Sequence, residues 1–171
     1  MIVRPELEED RIPIGELHRL VFGGNVEAEL VDRLRRDRLA ELSLVAVIGG
    51  QIVGHIMFSD LETEIDGRRV RALALAPMAV VPMRQRQGIG TRLMEESLTR
   101  FGRSEYEALI VLGHESYYPR FGFSAELARK LASPFKGDAF MAMALKPGAL
   151  EGEKGSVTYP AAFALDKSET P

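Results

Sequence analysis

The residues best suited to chemistry fall in two short stretches. The first is Met78-Ala79-Val80-Val81-Pro82-Met83-Arg84-Gln85-Arg86-Gln87-Gly88-Ile89-Gly90-Thr91-Arg92-Leu93. Gly88 and Gly90 open an amphipathic helical pattern that follows a buried strand pattern. Glycine at a helix start lets a ligand approach the backbone. The unpaired amides of a first helical turn, together with the helix dipole, favour an anion there. Arg84, Arg86 and Arg92 add positive charge and Thr91 adds a hydroxyl. The set reads as a phosphate or pyrophosphate cradle. A Walker A loop needs Gly-Lys-Ser/Thr, but Thr91 follows Gly90 directly. A dinucleotide fingerprint needs a third small residue where this chain has Leu93, and it belongs near the start of its domain. Both nucleotide readings therefore weaken. The plain alternative is a helix N-terminus with permissive glycines and solvated arginines.

The second stretch is Gly113-His114-Glu115-Ser116-Tyr117-Tyr118, directly after the apolar run Ala108–Leu112. Side chains at the carboxyl end of a parallel strand commonly face a ligand crevice. His114 is the best base of the set by intrinsic pKa, and its alternative is a structural histidine. Tyr117 and Tyr118 are proton donors whose alternative is aromatic packing. Glu115 reads as solvated or structural. His18 falls on an amphipathic helical pattern, where surface or core packing outweighs chemistry. His55, Asp60, Glu62 and Glu64 alternate along one long strand and read either as an acceptor-facing row or as a solvated sheet face. The run Arg33, Arg35, Arg36, Arg38 is interleaved with acids, has no aromatics, and reads as a solvated helix face. No His/Asp/Glu group has metal-ligand spacing.

The elements that must position these residues follow from the hydrophobic periods. Residues 2–4 are expected as a short strand ending at Pro5. Ile14, Leu17, Leu20 and Val21 recur at helical spacing, as do Val26, Leu30, Val31 and Leu34, with Gly23-Gly24-Asn25 between them and Asn25 as expected N-cap. Residues 44–48 are β-rich, Gly49-Gly50 is a hairpin signal, Gln51–Ile65 is the returning strand, and Asp66-Gly67 marks a second turn. Residues 70–81 form the longest apolar run, a strand buried on both faces. Residues 88–101 read as a helix facing inward through Ile89, Leu93, Met94, Leu98 and Phe101. Ala108–Leu112 is the next buried strand, expected parallel to 70–81 through a right-handed crossover. Residues 140–145 are a later strand, 147–155 a loop, 157–165 a segment that docks back, and 166–171 a tail expected to fray. The fold class is α/β (α+β) with a mixed, mostly antiparallel sheet flanked by helices. Pro77, lacking an N–H, predicts a break in pairing within the buried strand.

Composition bounds the function classes. The chain has 171 residues, 27% charged and 46% hydrophobic, with a net charge of −3. That length fits one domain with its own core, and the expectation is a single domain over 1–171. Without cysteine there is no disulfide framework, no thiolate metal site and no cysteine nucleophile. The mild acidity gives no support for bulk nucleic-acid or anionic-membrane binding. No apolar run reaches the roughly 18 residues of a membrane span. A cytoplasmic protein, monomer or homodimer, is expected.

A strand that stops pairing just before an anion cradle suits an extended ligand with amides leading into a pyrophosphate, the shape of coenzyme A. Gln85-x-x-Gly88-x-Gly90 resembles the Gln/Arg-x-x-Gly-x-Gly/Ala signature of the GNAT superfamily of acyl-CoA-dependent N-acyltransferases. More narrowly, the chain resembles the YhbS-like branch of that superfamily. The residues carrying this likeness are Leu75 to Val80, Arg86 to Gly90, Val111 to His114, Tyr117 to Phe123 and Tyr159 to Phe163.

The resemblance implies a splayed parallel strand pair. Met78, Ala79 and Val80 would pair with pantetheine, and Gln85, Arg86, Gln87, Gly88, Ile89, Gly90 and Thr91 would hold the pyrophosphate. The acetyl thioester would lie between that strand and Ala108–Leu112. Tyr118, in Tyr118-x-x-x-Gly122-Phe123, aligns with a tyrosine similar to a general acid near the CoA sulfur, so it is both a catalytic and a cofactor-binding candidate. His114 is the candidate base, with a water chain as the other route. Gly113-His114 stands where the family more often has an Asn and a small residue on a longer helix, so that helix is expected to be shortened here. The implied activity is acetyl transfer from acetyl-CoA, without metal, to a primary amine by direct attack. The rival readings are a non-catalytic acyl-CoA-binding module and a nucleotide- or nucleic-acid-binding protein.

Overall fold

The computed structural model of the chain describes residues 1–164, so the expected fraying of 166–171 lies outside the described residues. The described chain divides into two compact units, one formed by residues 1–59 with 76–100, the other by 60–75 with the chain from 101 onward. Two long strands contribute to both units.

In the first unit, β1 (Ile2–Pro5) runs antiparallel to β2 (Ala40–Ile48), from Ile2↔Val47 to Pro5↔Leu44. β2 returns through Gly49-Gly50 into β3 (Gln51–Ile65), antiparallel from Ala40↔Ser59 to Ile48↔Gln51. Both turn glycines have positive φ (58° and 77°), as a two-residue type I′ hairpin requires. Before β2 come α1 (Arg11–Phe22) and α2 (Val26–Arg36). α1 buries Ile14, Leu17 and His18, while Leu20, expected inside, is 63% exposed. At about 100° per residue, Leu20 sits some 120° from Ile14 whereas His18 sits only some 40° away. α2 likewise buries Ala28, Val31 and Leu34 and leaves Val26 exposed. Asn25 does occupy the N-cap position, but its side chain makes no cap bond. Its Oδ1 instead accepts from Arg19 Nε at 3.0 Å.

β4 (Arg68–Val80) ends in this unit and leads to α3 (Ile89–Phe101). α3 packs over β3 at Gly54, where a Cβ would lie 3.0 Å from Ile89 Cγ2 and 3.1 Å from Leu93 Cδ1. Its buried face is Ile89, Leu93, Met94 and Ser97, with Phe101 at its end. Leu98, expected inside, is only half-buried. Ser97 tolerates burial because its hydroxyl donates to Leu93 O at 2.8 Å.

In the second unit, the start of β4 pairs parallel with β5 (Ala108–Leu112), from Ala72↔Ala108 to Leu75↔Val111, and β5 pairs antiparallel with β7 (Phe140–Ala144). The end of β3 pairs antiparallel with β8 (Gly155–Thr158), and β8 pairs parallel with the two-residue β6 (Leu131–Ala132). A single turn of helix, α4 (Ala125–Ala128), precedes β6. Leu61, Ile65, Val70, Ile110, Phe140 and Leu150 belong to the core of this unit. Leu150 lies in the stretch expected as a plain loop. Tyr159 stacks edge-on between Phe135 and Phe163, with centroids at 5.2 and 5.0 Å, and Tyr159 and Phe163 pack against this core; Leu165, the last residue of the segment expected to dock, lies outside the described residues. The class is therefore the expected one, a mixed and mostly antiparallel sheet with β4 and β5 parallel.

Candidate active site

The β4–β5 ladder stops at Leu75↔Val111, two residues before Pro77, whose nitrogen has no proton to donate. The Ala76–Pro77 bond is cis. Met78, Ala79 and Val80 then complete β4, with Ala79 buried and its two neighbours half-buried. A 3-10 turn, Pro82–Arg84, and an exposed loop lead to α3. Gln85 ties this loop back to the strand: its Nε2 donates to Val80 O at 3.0 Å. Gln87 Nε2 donates to Met83 O at 3.3 Å. Arg86 (φ 62°) and Gly88 (φ 83°) both turn left-handed, which turns the chain sharply ahead of the helix. The first bond inside α3 runs from Arg92 N to Gly88 O, 2.9 Å, and the amides ahead of it point out of the helix end. Ile89 is only 3% exposed, so among the predicted contacts it can offer its amide and not its side chain. Arg84, Arg86 and Arg92 are exposed, and among the described residues none of them forms an ion pair. Three uncompensated guanidinium groups beside a helix N-terminus make a strong local field for an anion.

The second predicted stretch lies in the other unit. After β5, Gly113 N donates to Ala139 O (3.0 Å), and the amides of Tyr117 and Tyr118 donate to His114 O (3.1 and 3.2 Å). A four-residue 3-10 helix, Tyr118–Phe121, stands there, ending at Gly122 with φ 107°. Tyr118 is 6% exposed. Its ring meets Tyr117 and Phe123 edge-on, at 5.2 and 5.6 Å. The bare Cα of Gly113 lies against that ring: a Cβ would fall 2.8 Å from Tyr118 Cδ2 and 3.3 Å from Cζ. Burial first, and the neighbouring Tyr117 second, push the Tyr118 phenol above its ordinary value. It therefore stays protonated at neutral pH and can donate its proton or a hydrogen bond. Tyr117 is half-buried and occupied elsewhere, with Phe121 edge-on at 5.3 Å and the Arg120 guanidinium over its ring at 4.7 Å. His114 and Glu115 are exposed.

The remaining candidates separate sharply. Glu62 and Glu64 are exposed while Thr63 between them, and Leu61 and Ile65 on either side, are buried. His18 and His55 are both 0% exposed, which overturns the surface reading of either. His18 Nε2 and His55 Nδ1 are 2.8 Å apart, and His55 Nε2 and Ser43 Oγ are also 2.8 Å apart. Ser43 Oγ donates to Glu6 Oε2 at 2.6 Å, and Arg35 holds both Glu6 oxygens at 2.8 Å through Nε and Nη2. Burial, then the Arg35 charge, lowers His18 to about 4. Burial, His18 and Arg35 hold His55 well below its usual value. Among the described residues no group of His, Cys, Asp or Glu is placed to hold a metal ion, and no helix is long and apolar enough to cross a membrane.

A parallel strand pair whose ladder ends early, leading into a glycine-opened, arginine-rich helix end, defines a mixed α/β fold with an electropositive strand–loop–helix unit. Residues 3–125 match the acetyltransferase (GNAT) domain family, and the chain belongs to that family. It is 33% identical to the Escherichia coli N-acetyltransferase YhbS over 162 residues, 93% of this chain and 96% of that one. The crystal structure of YhbS from Escherichia coli in complex with CoA superposes with a TM-score of 0.86 at 32% identity, covering 95% of this chain and 91% of that chain. A GNAT family acetyltransferase from Brucella melitensis in complex with acetyl-CoA superposes with a TM-score of 0.77, also at 32% identity, covering 95% and 97%. The chain is thus an N-acetyltransferase of this family, as the motif resemblance implied.

Proposed function

We propose that the chain moves the acetyl group of acetyl-CoA to a primary amine by direct attack in a ternary complex. The observation that carries this reading is the cradle: β4 freed of its parallel partner at Leu75, followed by three arginines near the amide end of α3 that form no ion pair among the described residues. That arrangement suits a ligand whose amides lead into a pyrophosphate, and the two relatives above were crystallised with CoA and acetyl-CoA. Backbone groups of Met78, Ala79 and Val80 pair with the pantetheine arm. The amides and side chains of residues 85–91 hold the phosphates. The chain works as one domain, a reading supported by an alignment with YhbS over nearly its whole length.

In the reaction the amine nitrogen forms a bond to the thioester carbon, and the carbon–sulfur bond breaks. The electron pair leaves on sulfur. Tyr118, kept protonated by its burial, supplies the proton that turns the thiolate into a thiol. The proton lost by the amine goes to His114 or into a water chain. The chain contains no cysteine, so the simplest covalent acetyl carrier is absent and direct transfer is the economical route.

The test is release of CoA thiol from acetyl-CoA with a panel of primary amines, for the wild type and Tyr118→Phe. Tyr118→Phe should lose about 100-fold or more in kcat, the usual worth of a positioned acid, while acetyl-CoA still binds. Binding of acetyl-CoA with no amine-stimulated release would refute the reading.

A further inference from the structure

A cleft of about 650 Å³ opens in the second unit, between α4, β6 and the segment leading into β7. Its volume suits a small ligand. Leu131, Phe135 and Phe140 give it apolar walls. Leu131 and Phe140 are buried, and Phe135 is braced edge-on by Tyr159 at 5.2 Å. The polar lining is mainly cationic. Lys130 is spent on structure, since its Nζ donates to Leu150 O at 2.6 Å and to Gly152 O at 2.9 Å. Arg129 and Lys136 are exposed and less committed. Arg129 Nη2 stands 3.9 Å from Asp138 Oδ1, and Lys136 forms no ion pair among the described residues. Ser133 Oγ accepts from Phe135 N at 3.0 Å, which leaves its hydroxyl proton to donate.

The cleft borders the carboxyl end of β5. Its wall residue Phe140 is the strand partner of Leu112, so the two side chains share a face, with Cβ atoms about 5 Å apart. Leu112 is a large apolar side chain left 47% exposed. The next residue, Gly113, donates its amide to Ala139 O at 3.0 Å. The side that a Gly113 Cβ would occupy is filled by the Tyr118 ring. Successive strand residues project to opposite faces. Tyr118 and the cleft therefore flank the end of β5, where the proposed reaction puts the CoA sulfur.

We infer that the acceptor is a primary amine on an apolar body whose far end carries a carboxylate, and that Arg129 and Lys136 bind that carboxylate in this cleft. This rests on the acetyl-transfer reading and names the acceptor class which that reading leaves open. The amine stays at the end of β5 near Tyr118, and the apolar body runs along Leu112 and Phe140. The carboxylate meets the two cations and accepts from the Ser133 hydroxyl. Arg129 and Lys136 set specificity and touch none of the reacting atoms. The chain as a whole carries a net charge of −3, so its overall field disfavours an anionic acceptor. A preference for one needs a local cationic site.

Two readouts test this on the full chain. The first is CoA release from acetyl-CoA with matched amines, 4-(aminomethyl)benzoate against 4-methylbenzylamine and 6-aminohexanoate against hexylamine. In each pair the wild type should favour the carboxylated member about tenfold in kcat/KM, and Lys136→Glu or Arg129→Glu should each cut that preference about fivefold. Both side chains are exposed, so neither change threatens the fold. Lys146→Glu, an exposed lysine beyond the far end of β7, should keep the preference and so controls for net charge. The second readout needs no turnover. 4-Methylbenzoate, which has no amine, should shift the backbone amide signals of residues 129–138. No shift there, equal kcat/KM within each pair, or a preference untouched by both charge reversals overturns the inference and leaves acetyl transfer standing. If the wild type acetylates none of the four amines, acetyl transfer itself fails and the acceptor assignment falls with it.

Discussion

Gly113→Ala isolates the placement of Tyr118 from its chemistry. The substitution leaves the phenol intact and adds one methyl group beneath its ring. That carbon would sit 2.8 Å from Cδ2 and 3.3 Å from Cζ, where ordinary carbon contacts are roughly 3.5–4.0 Å. The ring must therefore retreat by about 1 Å, or the β5 end must shift by as much. It cannot retreat freely, because Tyr117 and Phe123 meet it edge-on at 5.2 and 5.6 Å. Overpacking of this kind costs about 1–3 kcal/mol of stability. A misplacement of about 1 Å in a reacting group costs about 100-fold in rate. The assay is amine-stimulated CoA release alongside thermal melting. We expect kcat to fall about 100-fold in a protein that still folds and still binds acetyl-CoA, because the arginine cradle belongs to other elements. Full kcat in a variant whose crystal structure shows the ring displaced would refute Tyr118 as the proton donor.

Arg84, Arg86 and Arg92 are solvent-exposed and form no ion pair among the described residues, so each alanine substitution should weaken acetyl-CoA binding by about 1 kcal/mol, about fivefold in Kd. The effect should shrink as salt rises, and calorimetry at two ionic strengths checks it. Gly54→Val would drive side-chain atoms into Ile89 and Leu93, which already approach to 3.0 and 3.1 Å of a Cβ. It should destabilise the chain by about 1–3 kcal/mol and weaken acetyl-CoA binding by moving the start of α3, both readable by melting with and without ligand. His18 and His55 are neutral and buried, and an unfolded chain binds their protons at higher pH than the folded one. Stability should therefore be intact above about pH 6.5 and fall as the pH drops toward 4, His18 alone accounting for about 3 kcal/mol. Denaturant titrations from pH 7 to 4 should show a shallower loss in His18→Phe, and equal slopes in the two proteins would contradict the assignment.

Much of this architecture was legible in the sequence because it rests on local rules. Gly49-Gly50 closes a tight hairpin, Pro77 lies just beyond the end of a ladder, and Gly88 opens a helix on left-handed backbone. The order of strands around α3 follows from alternating and continuous apolar runs. What escaped is what tertiary contact decides. β6 is two residues long and exists through its pairing with β8. Leu20 and Val26 looked like core by spacing, yet the buried stripe is centred on other residues, and His18 takes the inward place because His55 is there as its hydrogen-bond partner. His55 itself sits within the apolar run from Ile52 to Phe58, the one sign that it points into the body. The partners of this pair, Glu6, Ser43 and Arg35, come from the connection after β1, from β2 and from α2, and no spacing rule links them.

Direct transfer is tested most plainly by following the acetyl group itself. Enzyme mixed with isotopically labelled acetyl-CoA, first alone and then with a primary amine, is resolved by intact-protein and small-molecule mass spectrometry. The account predicts label on the amine only when all three components are present, and no acetylated protein when the amine is withheld. Stoichiometric label on the protein that is chased onto the amine, or an amine left unlabelled while CoA is released, would contradict it.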